Sequence, residues 1–365
     1  MPNLLDYLCW RGDLLLSERP FCEADSAVLA RVSYLPFQAL ELKETDALSL
    51  GEAADRLCAL PDVDARIVLS GDRRMLRALA SSPRFRSMTL TGFRSVFDAE
   101  KETQFCAMTL VLGDGRRYVS YRGTDNTLVG WKENLNMSFT CPVPAQMLAV
   151  AYLRDLAAGT DGPLLLGGHS KGGNLAVYAG AFCGPEIQDR IETVWNFDGP
   201  GFDGKVLAEP VYERLCPRVR TVIPQSSIVG MLLEHEDPYE VVRSAETGLM
   251  QHDLYSWETT PLGFVRLETV TRGSLFLDRA ITDWLRGTDA AQREAFVDAV
   301  YEILTTTNAK TLREMNEHKL QSAAAVLKSL SRLDEPTRKT VTRTLGAFLH
   351  SAARQLGERP ARRGR

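Results

Sequence analysis

The spacing of hydrophobic positions changes along this chain, and the changes mark its parts. Residues 1 to about 100 read as mainly helical and irregular, with breaks at Pro36, Gly51, Pro61 and Gly71. Strict alternation then runs from Phe105 to Leu112. Gly113-Asp114-Gly115 supplies a turn and Tyr118 to Tyr121 the return, which together predict a β-hairpin. Helical spacing predicts helices at about 127–137 and, after Pro144, at 145–158. A short apolar run at 163–167 predicts a buried strand, followed by a helix at 172–183 and strands at Thr193–Phe197, Val219–Ile223 and about 239–244. Strands that alternate with helices predict an α/β architecture: a mostly parallel central sheet flanked by helices.

Beyond about residue 275 the period is helical throughout, in stripes such as Leu277, Ile281, Trp284 and Leu285, or Val341, Leu345, Phe348 and Leu349. The expected organisation is an α/β core with a helical N-terminal part over 1–265. A C-terminal helical extension over 266–356 and a basic flexible tail over 357–365 complete it. The helical stripes are expected to face a core, with a membrane-facing surface as the sharper alternative.

Composition narrows the setting. The chain has 365 residues, of which 44% are hydrophobic, enough for one large core and an accessory unit. A net charge of −4 argues against a general attraction to nucleic acid. Arg359, Arg362, Arg363 and Arg365 at the end are expected to be solvated. Seven scattered cysteines, with no short paired spacing, argue for reduced thiols and against a disulfide framework or a zinc site. Met1 to Asp6 lacks the basic start of a signal peptide, and no run approaches ~18 apolar residues. The expectation is a cytoplasmic protein without integral membrane contact, peripheral contact remaining open.

Candidate chemistry centres on Leu164 to Tyr178. Gly168-His169-Ser170-Lys171-Gly172 lies between an apolar strand and a small-residue helix, the setting of a nucleophile elbow. A serine hydroxyl is a poor nucleophile unless it stands clear of the backbone beside a base, and so sharp a turn leaves no room for side chains at Gly168 or Gly172. The chain has five histidines. His169 sits inside the elbow with its ring turned away from the serine, and His318 and His350 fall in the helical tail. His252, in a loop after the late strands, is the expected base, with His235 the rival. Asp198 ends the strand after the elbow helix, at the same sheet edge as Ser170, and is the expected acid. An Asx-turn there, or Glu234, Glu236 or Asp237, are the other readings. The oxyanion donors are expected from the backbone N–H groups of Lys171 and Thr124, the latter in Tyr121-Arg122-Gly123-Thr124-Asp125. The Lys171 side chain is expected to add positive charge at the rim. Ile228 to Leu233 read as a buried helix, or as a lid or acyl-chain wall.

Tyr121-Arg122-Gly123-Thr124, Trp131, Asn134-Leu135, the elbow, and Asn196-Phe197-Asp198-Gly199-Pro200-Gly201 together resemble the lipase (class 3) branch of the α/β-hydrolases. The resemblance is nearest to the bacterial Mbeg-like group and covers roughly residues 1–260. It implies an α/β-hydrolase fold and carboxylic-ester hydrolysis, with Ser170 as nucleophile and Thr124 in the oxyanion hole. Two departures stand out. Lys171 replaces the leucine common after the serine, and Gln225-Ser226-Ser227-Ile228-Val229 carries serine where the family's acid falls, so Asp198 takes the acid's place. The substrate class implied is a small acyl ester or a lipid, and no cofactor or metal is called for. A thioesterase or peptidase with the same triad, and a hydrolase-fold protein that binds without turnover, are the alternatives.

Overall fold

The computed structural model describes residues 1–124, 133, 136, 137, 141–233 and 238–275, with 293, 335, 338, 339 and 342 as isolated positions. The expected helix at 127–137 and the stripes beyond 275 fall almost wholly outside the described residues. So do Trp131, Asn134, Leu135, His235, His318, His350 and the acidic residues 234, 236 and 237.

Eleven strands are described: β1 (Ala47–Ser49), β2 (Thr89–Asp98), β3 (Thr103–Val111), β4 (Arg117–Tyr121), β5 (Leu164–His169), β6 (Ile191–Phe197), β7 (Val219–Pro224), β8 (Tyr239–Val242), β9 (Thr259–Thr260), β10 (Gly263–Phe264) and β11 (Arg266–Leu267). Nine of them form one sheet in the order β1-β2-β3-β4-β5-β6-β7-β8-β11, while β9 and β10 pair separately. The centre, β4 through β8, is parallel, and antiparallel strands close both flanks. The expected hairpin is β3–β4, and the elbow joins β5 to the Lys171–Phe182 helix. This is the α/β-hydrolase arrangement.

Alternation decides what each face of the sheet buries. On β3, Cys106, Met108 and Leu110 point into one core and Phe105 and Ala107 into the other. On β5, Leu165 faces the first core while Leu164 and Leu166 face the second. The first core is covered by N-terminal helices, including Leu4–Arg11, Glu23–Val32, Leu50–Cys58 and Gly71–Ser81, together with Trp257 and Phe264. The second is covered by the Pro144–Ala158 and Lys171–Phe182 helices. Both faces of the parallel centre are thereby sealed, and its functional edge is the end where β5 and β6 finish.

Two expectations change. The first hundred residues are not only helical and irregular, because β1 and the ten-residue β2 lie within them. The β2 pattern is broken by a register shift between Thr91 and Arg94, beside Gly92 at φ 64°, so its alternation does not read through. Nor does the core stop at residue 265. β11 needs a partner edge and finds it on β8, Thr271 N–H donates to the Gln225 carbonyl at 2.6 Å, and Val270 packs beside Ile223 and Val241.

Candidate active site

Ser170 directly follows β5 and caps the next helix with φ 60° and ψ −136°. A non-glycine residue so far from the favoured basins costs on the order of 1–3 kcal/mol and persists only where its surroundings dictate it. Those surroundings are visible. Ser170 N–H donates to the Phe197 carbonyl at 2.9 Å, tying the elbow to the end of β6. A Cβ on Gly168 would overlap the backbone of Gly172, and one on Gly172 would overlap the Tyr121 carbonyl, as the sequence predicts. Ser170 is 7% exposed, so the residue is buried.

Asp198 leaves β6 at φ 50°, a left-handed turn that Asp tolerates better than most residues. Its N–H stays in the ladder by donating to the Val222 carbonyl at 2.9 Å, and Asn196 caps the turn by accepting from Gly199 N–H at 3.0 Å. Asn174 of the elbow helix donates to the Pro200 and Gly201 carbonyls, so helix and turn move as one body. The fully buried carboxylate divides its work. Oδ2 lies 2.7 Å from His252 Nδ1, while Oδ1 accepts from Ser227 Oγ and from Gly230 N–H at 3.1 Å. A carboxylate can only accept, so the Nδ1 proton is fixed and Nε2 is left as the basic nitrogen.

The serine at the family's acid position is therefore put to use: Ser227 holds Asp198 in place. Ile228 to Leu233 is not the expected buried helix. It contains one short 3₁₀ turn, Val229–Met231, that delivers the Gly230 N–H to Asp198.

His252 sits at the end of a short 3₁₀ turn, Gly248–His252. The buried Gln251 anchors the loop. Its side chain accepts from Ser226 N–H at 3.0 Å, and its carbonyl accepts from Trp257 Nε1 at 2.7 Å. The His252 side chain is 26% exposed, so part of the ring meets solvent. Its ring lies against that of His169, tilted by 35° with centroids 4.4 Å apart, and its carbonyl accepts from His169 Nε2 at 2.7 Å. Burial pushes the His169 pKa well below the usual histidine value, with the neighbouring His252 and Arg31 adding to the effect.

Asp198 and His252 are thus in contact, and His169, the neighbour of Ser170 in the chain, touches His252. Among the described residues no hydrogen bond joins Ser170 Oγ to the His252 ring. On the oxyanion side, a Cβ placed on Gly123 would lie 3.0 Å from Ser170 Cβ, so the loop carrying Thr124 adjoins the nucleophile. Thr124 Oγ1 is buried without a hydrogen-bond partner among the described residues. The Lys171 side chain does not reach the rim. It is fully buried, and Nζ donates to Glu133 Oε2 and to the Gln104 carbonyl, both at 2.7 Å. A charge at the first turn of a packed helix has an ion-pair partner below the elbow and none in solvent. Sequence reasoning also missed the contacts of His169 with His252 and of Ser227 with Asp198. Only the unusual serine pair at 226–227 hinted at either.

Among the described residues, no helix is long and apolar enough to cross a membrane. Comparison with solved structures finds lipases. A deletion mutant of the Rhizomucor miehei lipase propeptide complex is 14% identical over 61% of this chain and 85% of its own, with a TM-score of 0.39. A fungal lipase–inhibitor complex is 13% identical over 55% and 83%, at 0.36. A triacylglycerol lipase whose catalytic centre is a serine protease triad is 15% identical over 46% and 69%, at 0.34. At those scores the likeness carries no inference about chemistry. No curated protein sequence matches the chain. The Mbeg1-like family model matches residues 79–302, more than half of the chain, which therefore belongs to the Mbeg1-like family.

Proposed function

We propose that this protein is a serine hydrolase of carboxylic acyl esters. Ser170 attacks the carbonyl carbon as His252 Nε2 takes its proton, and the backbone N–H groups of Thr124 and Lys171 receive the developing oxyanion. The imidazolium, stabilised by Asp198, then protonates the leaving alcohol. An acyl-enzyme remains, which water cleaves through the same steps in reverse roles. The observation that carries this reading is the 2.7 Å Asp198–His252 contact beside a serine held at φ 60°. Buried acid, half-open base and strained nucleophile at one sheet edge have little use in a purely structural role.

The test is hydrolysis of p-nitrophenyl esters of rising acyl length, with labelling by a fluorophosphonate. Wild-type protein should turn over esters and label at Ser170, and Ser170→Ala should do neither. A second reading, ligand binding without turnover, draws on the unformed Ser170–His252 hydrogen bond. It predicts no labelling of the wild type. A thioesterase or peptidase would label but prefer other leaving groups.

A further inference from the structure

One buried titratable group beside the triad has no part in the steps above. It is His169, whose ring is turned from the nucleophile. We infer that His169 is a positioning residue for the base, holding the His252 backbone with its Nε2 hydrogen and the His252 ring with its own ring, while Tyr34 braces it from behind. The inference rests on the hydrolase reading above, because positioning matters only if His252 moves a proton.

His252 hangs from a short loop turn, and two torsions aim its ring. Three constraints are enough to fix a planar group, and three are present. Asp198 holds the Nδ1 end at 2.7 Å, the His169 ring packs tilted against the His252 ring at 4.4 Å, and His169 Nε2 holds the His252 carbonyl at 2.7 Å. His169 supplies two of the three. It also directly precedes Ser170, so the spacing between nucleophile and base runs through a single peptide unit and one hydrogen bond.

The polarity of the ring follows from its partners. The His252 carbonyl only accepts, so His169 Nε2 carries the hydrogen. The Tyr34 hydroxyl donates its one hydrogen to the His169 carbonyl at 3.1 Å and lies 3.2 Å from Nδ1, so it braces the ring while the His252 carbonyl sets the tautomer. Tyr34 is fixed in turn. The Arg31 guanidinium lies 4.4 Å over its ring and forms a bidentate pair with Asp72 at 2.8 and 2.6 Å. Tyr255, three residues after His252, donates to the same Asp72 at 2.8 Å. The support of His169 and the loop of His252 thus share one buried anchor. Phenylalanine at position 169 would supply the stacking face alone. The two polar contacts require an imidazole.

The experiment is steady-state hydrolysis of p-nitrophenyl butyrate by the full chain carrying His169→Phe, His169→Gln or Tyr34→Phe. A base displaced by a fraction of an ångström to 1 Å loses about 10²-fold in rate, so His169→Phe should lower kcat by about that factor with KM little changed. Glutamine places an N–H near the lost Nε2 and should restore kcat to within about tenfold of wild type. Tyr34→Phe should lie between the two. A His169→Phe protein with wild-type kcat, or with only KM raised, overturns the inference. Ring ¹⁵N NMR of the wild type gives a readout independent of folding in the variants and of turnover. A neutral His169 ring with hydrogen on Nε2 is expected, and an Nδ1–H tautomer or an imidazolium at pH 6 overturns the inference. If the wild type neither hydrolyses esters nor labels with a fluorophosphonate, the hydrolase reading falls. The NMR result still decides whether His169 holds His252.

Discussion

Two buried carboxylates flank the elbow, and they are put to opposite uses. Glu133, on the helix side, accepts from Lys171 Nζ at 2.7 Å and from the backbone N–H groups of Gln104 and Ala145, both at 3.1 Å. Asp198, on the sheet-edge side, accepts from Ser227, Gly230 and His252. Each has every oxygen engaged, as a buried anion must. The difference lies in the cation. Lys171 is sealed from solvent, whereas the His252 side chain is 26% exposed. Burial and a close partner therefore do not by themselves mark a reacting group. A titratable partner facing an opening does.

The sharpest way to break that contrast is to neutralise each acid in turn. Asp198→Asn should leave the fold intact and lower kcat by about 10⁴-fold, since an amide permits the wrong imidazole tautomer. Ester hydrolysis against the wild type checks it. A loss of only a few-fold would hand the acid's role to another residue. Lys171→Ala should do the reverse. It leaves Glu133 buried without its cation and should cost about 3–5 kcal/mol of stability, read by chemical denaturation. A paired Lys171→Met, Glu133→Gln replacement should recover part of that loss, because it removes both charges while the amide oxygen can still accept from one of the Gln104 and Ala145 N–H groups.

How much of this was legible beforehand follows the range of the interactions involved. The elbow could be read because its constraints are local: Gly168 and Gly172 must be small for the turn to close. His252 and Asp198 could be read because strand order puts their loops at one edge and few histidines compete. The alternation of β3 and β4 survives in the sequence, but that of β2 does not, since its bulge resets the phase. The Lys171 side chain misled because a lysine beside a nucleophile reads as exposed, and its buried partner lies 38 residues away. His169 meets the His252 carbonyl across 83 residues, and Ser227 meets Asp198 across 29. Tertiary approach alone creates these contacts, so no period or spacing announces them.

Ser227 allows the contrast to be sharpened rather than broken. Ser227→Ala removes one donor from Asp198 but leaves Gly230 N–H and His252 in place. A hydrogen bond to a charged acceptor contributes about 1.5–3 kcal/mol, and the remaining donors make up part of it, so kcat should fall by about tenfold with KM unchanged. A change in KM alone would mean that the hydroxyl touches substrate instead.

The smallest effect concerns pH. His169 faces His252, Arg31 and the Tyr34 hydroxyl, and burial holds its pKa well below the histidine value of the unfolded chain. Below about pH 6.5 the unfolded state therefore takes up a proton that the native state refuses. The unfolded state binds more protons in that window, so stability is full above it and falls as the pH drops, by at most about 1.4 kcal/mol per pH unit from this residue. Other histidines and carboxylates add their own slopes, which makes the difference between two proteins the measurable quantity. Denaturation of the wild type and of His169→Phe from pH 8 to pH 5 should show the wild type losing stability faster. Parallel curves would mean that His169 is protonated in the native state. An uncharged His169 ring packs against that of His252, centroids 4.4 Å apart, without bringing a charge of its own to the contact.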